Sequence, residues 1–132
     1  MLSRLSRPFR PIDLGAQALA FFQLARLGED LRREHEYERS GVCAITLARD
    51  EHVTLVLVAL RKGAVMRDHR SPSAGTLVLL SGRAVFSAGP YREELDPGCL
   101  AAFSADLTHG VEALEDAAYL VIIGGRPRPS AS

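Results

Sequence analysis

The chain has 132 residues, of which 47% are hydrophobic and 24% charged, and its formal net charge is zero. That is the length of one domain, with apolar residues enough for a core, and the composition excludes a disordered chain. There is no basic excess of the kind a nucleic-acid binder carries, and no apolar run reaches the roughly 18 residues of a membrane helix.

Residues 1–12 read as a basic arm, with Arg4, Arg7 and Arg10 ahead of the first acid, Asp13. Pro8 and Pro11 interrupt any amphipathic helix there, so the arm reads as a flexible or docking segment rather than a targeting peptide. A helical segment over residues 13–40 follows, expected to pack on the rest of the domain or on a partner. Asp13 is a candidate N-cap for a helix running to about Leu27. Leu24, Leu27 and Leu31, joined by Phe21, share its apolar face, and Gly28 is the point where it breaks or bends. From Glu29 to Arg39 the chain is charged and solvent-facing. Glu29 can pair with Arg33 and Arg32 with Glu36, one turn apart, and His35 reads as a surface histidine. Ser40-Gly41 stops the helix.

After Gly41 the hydrophobic period changes to two. Val42 to Arg49 places Cys43, Ile45 and Leu47 on one face, and Val53 to Leu60 reads as a buried strand. Further strands are predicted over Thr76–Leu80, Arg83–Ser87, Cys99–Phe103, Val111–Leu114 and Ala117–Ile123, with Asp96-Pro97-Gly98 a strong turn. Residues 126–132 read as a flexible tail. Seven or more short strands punctuated by turns predict a sandwich or barrel over residues 41–125. Cys43 and Cys99 are expected to be reduced, buried thiols of a cytoplasmic protein.

Two spaced patterns lie on this strand-rich background. The first is Gly63, five residues, His69-Arg70-Ser71, three residues, Gly75, six residues, Gly82. The second is Gly98, five residues, Ser104-Ala105-Asp106, two residues, His109, three residues, Ala113. In spacing and order they resemble the two motifs of the cupin family, over about Val53 to Gly124. The resemblance implies a mainly β fold, a single cupin-type double-stranded β-helix or jelly-roll barrel of the RmlC-like kind, here with an N-terminal helical segment.

The resemblance also implies where the chemistry sits. Metal-binding cupins direct three His and one Glu into the barrel, and such ligands suit Fe, Mn, Ni or Zn. His69 and His109 match two of the histidines. Ser71 stands in place of the third, and Gly75 in place of the Glu, so metal affinity is expected to be weak or absent. A lone His on an apolar strand is ordinarily a hydrogen-bonded core residue, but two on matching positions point to one shared cavity. Strand parity turns Asp68 and Arg70 outward, Asp106 reads as a turn residue, and His52 as exposed. Removal of the Glu side chain at Gly75 either opens a pocket lined by Leu77, Leu79, Phe103 and Val111 or is filled by neighbours.

The expected function is therefore a small cupin-fold protein that binds a small molecule in its barrel, with His69, Ser71, Leu77, Phe103 and His109 as the ligand-binding set. The alternative is a metal-dependent dioxygenase or isomerase using His69 and His109 as ligands. A third reading is a metal-free acid–base enzyme, with either His as base and Tyr91 or Tyr119 as acid. No nucleophile motif and no partner for either cysteine is visible. Neither nucleic acid nor membrane is an expected partner, and a homodimer is.

Overall fold

The computed structural model describes residues 7–124; the expected tail at 126–132 and the Asp68 side chain lie outside what it describes. Among the described residues, ten strands form two facing sheets. The larger has the order β1 (Ile12–Asp13), β2 (Val42–Arg49), β3 (Val53–Leu60), β10 (Ala117–Gly124), β5 (Gly75–Ser81), β8 (Leu100–Phe103). The smaller runs β4 (Val65–His69), β9 (His109–Ala113), β6 (Ala84–Ala88), β7 (Tyr91–Leu95). Together they make the barrel that the strand pattern predicts, in the mainly β jelly-roll form that the motif resemblance implies.

Alternation along the strands sorts side chains to two faces. Val58 and Leu60 of β3, Leu77 and Leu79 of β5 and Tyr119 of β10 point into the barrel, where they meet Ala84, Leu95 and Val111 of the smaller sheet. The intervening residues of the larger sheet face the other way. Cys43, Ile45, Leu47, Leu57 and Ala59 pack beneath Leu27, Leu31 and Tyr37 of the helical segment. The apolar continuity of Val53–Leu60 thus has a cause, since β3 is covered on both sides. Burying Leu27 and Leu31 contributes about 1.5–3 kcal/mol each.

The helical segment departs from the sequence expectation. The helices are α1 (Leu24–Arg32) and α2 (His35–Ser40). Asp13 caps neither, because Ile12 and Asp13 pair in parallel with Ala48 and Arg49 at the edge of the larger sheet. The Leu14 amide continues that contact to the Arg49 carbonyl at 3.0 Å. The sheet edge takes the hydrogen-bonding groups that a helix there would need, and Gln17 adopts a left-handed φ of 62°. Phe21 consequently precedes the helix and is 62% exposed. Gly28 does not break α1. Its Cα lies on β10, where an added Cβ would meet the Ala118 Cβ at 3.6 Å. The break falls at Arg33-Glu34, so Arg32 pairs with Glu29 at 3.3 Å and Arg39 with Glu36 at 2.7 Å, each three residues apart. Gly41, with φ 79°, closes α2 as expected.

The arm is partly pinned. Arg7 donates from Nε to Glu34 at 3.1 Å and from Nη2 to the Ala44 carbonyl at 3.0 Å. Glu34 also accepts the Cys43 thiol hydrogen at 3.1 Å. Cys99, expected to be buried, is exposed, because it follows the Asp96-Pro97-Gly98 turn at the mouth of the edge strand β8.

Candidate functional site

His69 ends β4 and His109 begins β9, and the two are direct cross-strand partners. Their rings lie 4.3 Å apart between centroids, tilted by 59°. Each ring is oriented in the same way. The Nδ1 of His69 lies 3.0 Å from the Arg67 carbonyl and that of His109 2.9 Å from the Leu107 carbonyl. A carbonyl oxygen only accepts, so each Nδ1 carries the hydrogen and the neutral ring keeps its lone pair on Nε2. His109 is buried and His69 exposed.

Aromatic rings hold His109 in place. Phe86 stacks on it at 5.4 Å and 14°, and Phe103 approaches at 4.4 Å and 34°. Phe103 also answers the question raised by Gly75. The two are cross-strand partners, and a Cβ on Gly75 would lie 2.9 Å from both Phe103 Cζ and the Ile122 carbonyl oxygen. The space that a longer side chain would need is filled by a phenyl ring and backbone.

A cavity of about 150 Å³ opens beside the two imidazoles. His69, Ser71, Leu77, Phe103 and His109 all line it, so the five expected site residues are brought together. Val111 lines it as well, whereas Leu79, expected there, is fully buried in the core below. Fully buried Leu60, Ala84, Ala113 and Ala117 fill the far end of the barrel. Met66, Tyr119 and Ile123 also line the cavity and are absent from the expected set. Their signal was present in the sequence as strand parity: Ile123, Val121 and Tyr119 alternate along β10, and all three line the cavity. Tyr91, the other tyrosine considered as an acid, is 78% exposed on β7.

The remaining candidates stand apart from the cavity. The side chain of His52 is 83% exposed beside Glu51. His35 and Arg70 are exposed. Asp106 takes a left-handed φ of 64° in the turn before His109, and its amide donates to the Ser71 carbonyl at 2.7 Å. The backbone there takes a glycine-like conformation, which Asp tolerates better than most residues.

The divalent metal implied by the motif resemblance does not fit these residues. Two imidazoles are present, but the Ser71 hydroxyl oxygen is engaged by the Ser73 amide at 3.2 Å. The carboxylate position is glycine backed by Phe103. Among the described residues no three His, Cys, Asp or Glu side chains gather into a cluster able to hold an ion. Imidazole pairs without a further donor leave most of a divalent ion's coordination sphere unfilled.

No family model and no curated protein matches the chain. Solved structures do. An RmlC-like cupin from Desulfovibrio desulfuricans superposes with a TM-score of 0.63 at 19% identity, covering 72% of this chain and 92% of that one. An RmlC-like cupin with a double-stranded β-helix fold from Methanocaldococcus jannaschii gives a TM-score of 0.61 at 16% identity, covering 71% and 89%. A conserved protein of unknown function from Streptococcus pyogenes gives 0.60 at 22% identity, covering 70% and 79%. At these identities the likeness is one of fold, and the chain has the cupin double-stranded β-helix.

Proposed function

We propose that the protein binds a small molecule in its barrel, with an apolar body held by the cavity wall and a polar group held by the imidazole pair. The observation that carries this reading is the convergence of His69 and His109, 4.3 Å apart, at the side of a mostly apolar cavity. Cavities of about this size, when lined by Leu, Ile and Phe, take a benzene-sized guest. They are smaller than the roughly 300 Å³ at which drug-sized pockets begin. The Nε2 lone pair of the exposed His69 ring favours a guest that offers a hydrogen-bond donor, such as a hydroxyl or an amine.

The test is titration of the whole protein with phenol and benzyl alcohol, followed by NMR of the imidazole resonances. Saturable shifts at both rings, lost in His109→Ala, are expected. Unmoved imidazoles would overturn the reading. The dioxygenase or isomerase reading requires instead a metal that both imidazoles hold, and the poor donor set counts against it.

Two further parts of the reading concern setting. The free thiols Cys43 and Cys99 suit a reducing compartment, and we place the protein in the cytoplasm on that ground; among the described residues no helix is long and apolar enough to cross a membrane. We also propose a homodimer. Its support is a groove of about 390 Å³ at the N-terminal segment, lined in part by Leu19 at 78% and Phe21 at 62% exposure. Near-zero net charge offers little resistance to self-association there.

A further inference from the structure

We propose that the cavity has a second, lateral opening at Ala44, and that its ligand is elongated, with a polar head at His69 and an apolar tail that leaves the barrel over Ala44. The inference rests on the small-molecule reading above and narrows it to chain-bearing molecules, with Ala44 as the residue that sets the length accepted.

Direct antiparallel partners carry their side chains on the same face of a sheet. Ala44 of β2 is the partner of Val58 of β3, and Val58 points into the barrel core. Ala44 therefore faces inward, while its neighbours Cys43 and Ile45 pack beneath the helices. Burial falls away between these two strands. Val58 is 3% exposed, whereas Ala44 is exposed; Leu60 is fully buried, whereas its partner Val42 is only half-buried. Unequal sheets account for this. The larger continues past β3 to β2, and the smaller ends at β4, so the inner face of β2 runs out beyond its cover. Val58 and Ala44 both line the cavity, and the void thus runs from a buried wall to an exposed one.

The Ala44 opening lies well away from the imidazoles. Phe103, the ring beside His109, shares a rung with Gly75, Ile123 and Thr54. Ala44 shares one with Val58 and Tyr119, four residues, or about 13 Å, further along β3. Down the barrel axis the way is shut by fully buried Leu60, Ala84, Ala113 and Ala117. A guest longer than a benzene ring leaves sideways instead, past Val56 and Met66, which are half-buried and line the cavity. The Ala44 carbonyl is taken by Arg7 Nη2 at 3.0 Å, and the residue meets the cavity with its methyl group. Among the described residues no Asp, Glu, Lys or Arg lines the route, and an apolar exit selects an alkyl or aryl tail.

Isothermal titration of the whole protein with phenol, 4-ethylphenol and 4-butylphenol tests this, in the wild type, Ala44→Phe and Ala44→Asp. A closed cavity of about 150 Å³ rejects the longer chains, whereas an open one gains about twofold to fourfold in affinity per added methylene. The wild type is expected to bind 4-butylphenol about tenfold or more tighter than phenol. Bulk at the exit in Ala44→Phe, or charge against the tail in Ala44→Asp, removes most of that gain and leaves phenol binding unchanged. Affinity that falls with chain length in the wild type, a gain kept in both variants, or phenol binding lost together with the gain would overturn the inference. If phenol binds the wild type and the chain adds nothing, the inference fails alone. If no probe binds the wild type, the small-molecule reading fails with it.

Discussion

Replacing Gly75 by Ala adds one methyl group at the most crowded point of the site. The new Cβ lies 2.9 Å from the Ile122 carbonyl oxygen and 2.9 and 3.1 Å from Phe103 Cζ and Cε1. The ring can give way only by pressing on His109, 4.4 Å away between centroids. The carbonyl is backbone between β10 and β5 and cannot turn aside without loosening the sheet. Overpacking of this kind costs about 1–3 kcal/mol, against about 0.4–1 kcal/mol gained by restricting the unfolded chain. The net expectation is a loss of about 1–2 kcal/mol, which for a chain this long lowers the melting temperature by roughly 3–10 °C. Differential scanning calorimetry measures it. Phe103→Leu in the same chain relieves the ring contact but not the carbonyl contact, so the double variant recovers part of the loss. A melting temperature within a degree of wild type would show that the space is not filled as described. Gly75→Glu is expected to fare worse than Gly75→Ala and to create no metal site.

Three further outcomes are expected. Incubation with iron, manganese, nickel or zinc salts leaves less than stoichiometric metal by elemental mass spectrometry; one metal per chain, lost in both His69→Ala and His109→Ala, would refute the ligand argument. Iodoacetamide near neutral pH labels Cys99 and spares Cys43, whose pKa is pushed up to about 11 by burial and by the Glu34 carboxylate. Because the folded state holds that proton more tightly than the unfolded chain does, the group's contribution to stability is intact below the ordinary thiol pKa of about 8.5 and is lost as pH rises towards 11; equal labelling of both thiols by peptide mass spectrometry would contradict this. Light scattering at micromolar concentration shows a dimer, and a clean monomer would refute the self-association reading.

The barrel was legible because its strands carry their environment in their period. Val42–Arg49 alternates and β3 is apolar but for Thr54, and the structure gives both the reason, a core on one face and helices on the other. The histidine pair was legible through the motif resemblance, and the structure sets both residues at facing ends of β4 and β9. The filling of the Gly75 position was not, because it depends on a cross-strand partner, Phe103, which lies 28 residues away and whose pairing only the register reveals. The sequence singles out Tyr119 only as one of two tyrosines able to serve as an acid; its place in the cavity wall follows from the register of β10. The false helix start at Asp13 is a case of tertiary override. Local signals favoured a cap, and the edge of β2 offered its backbone a better partner.

The larger sheet is apolar on its back as well as its front, and this limits how the chain can be shortened. Deleting everything before Gly41 would leave every residue that lines the cavity in place, yet strip the cover from Ile45, Leu47, Leu57 and Ala59. An excised barrel would therefore present a broad oily plane to water, of the kind that drives precipitation. Engineering on this scaffold should treat the two short helices as inseparable from the barrel they roof, and confine grafts and truncations to the loops of the smaller sheet.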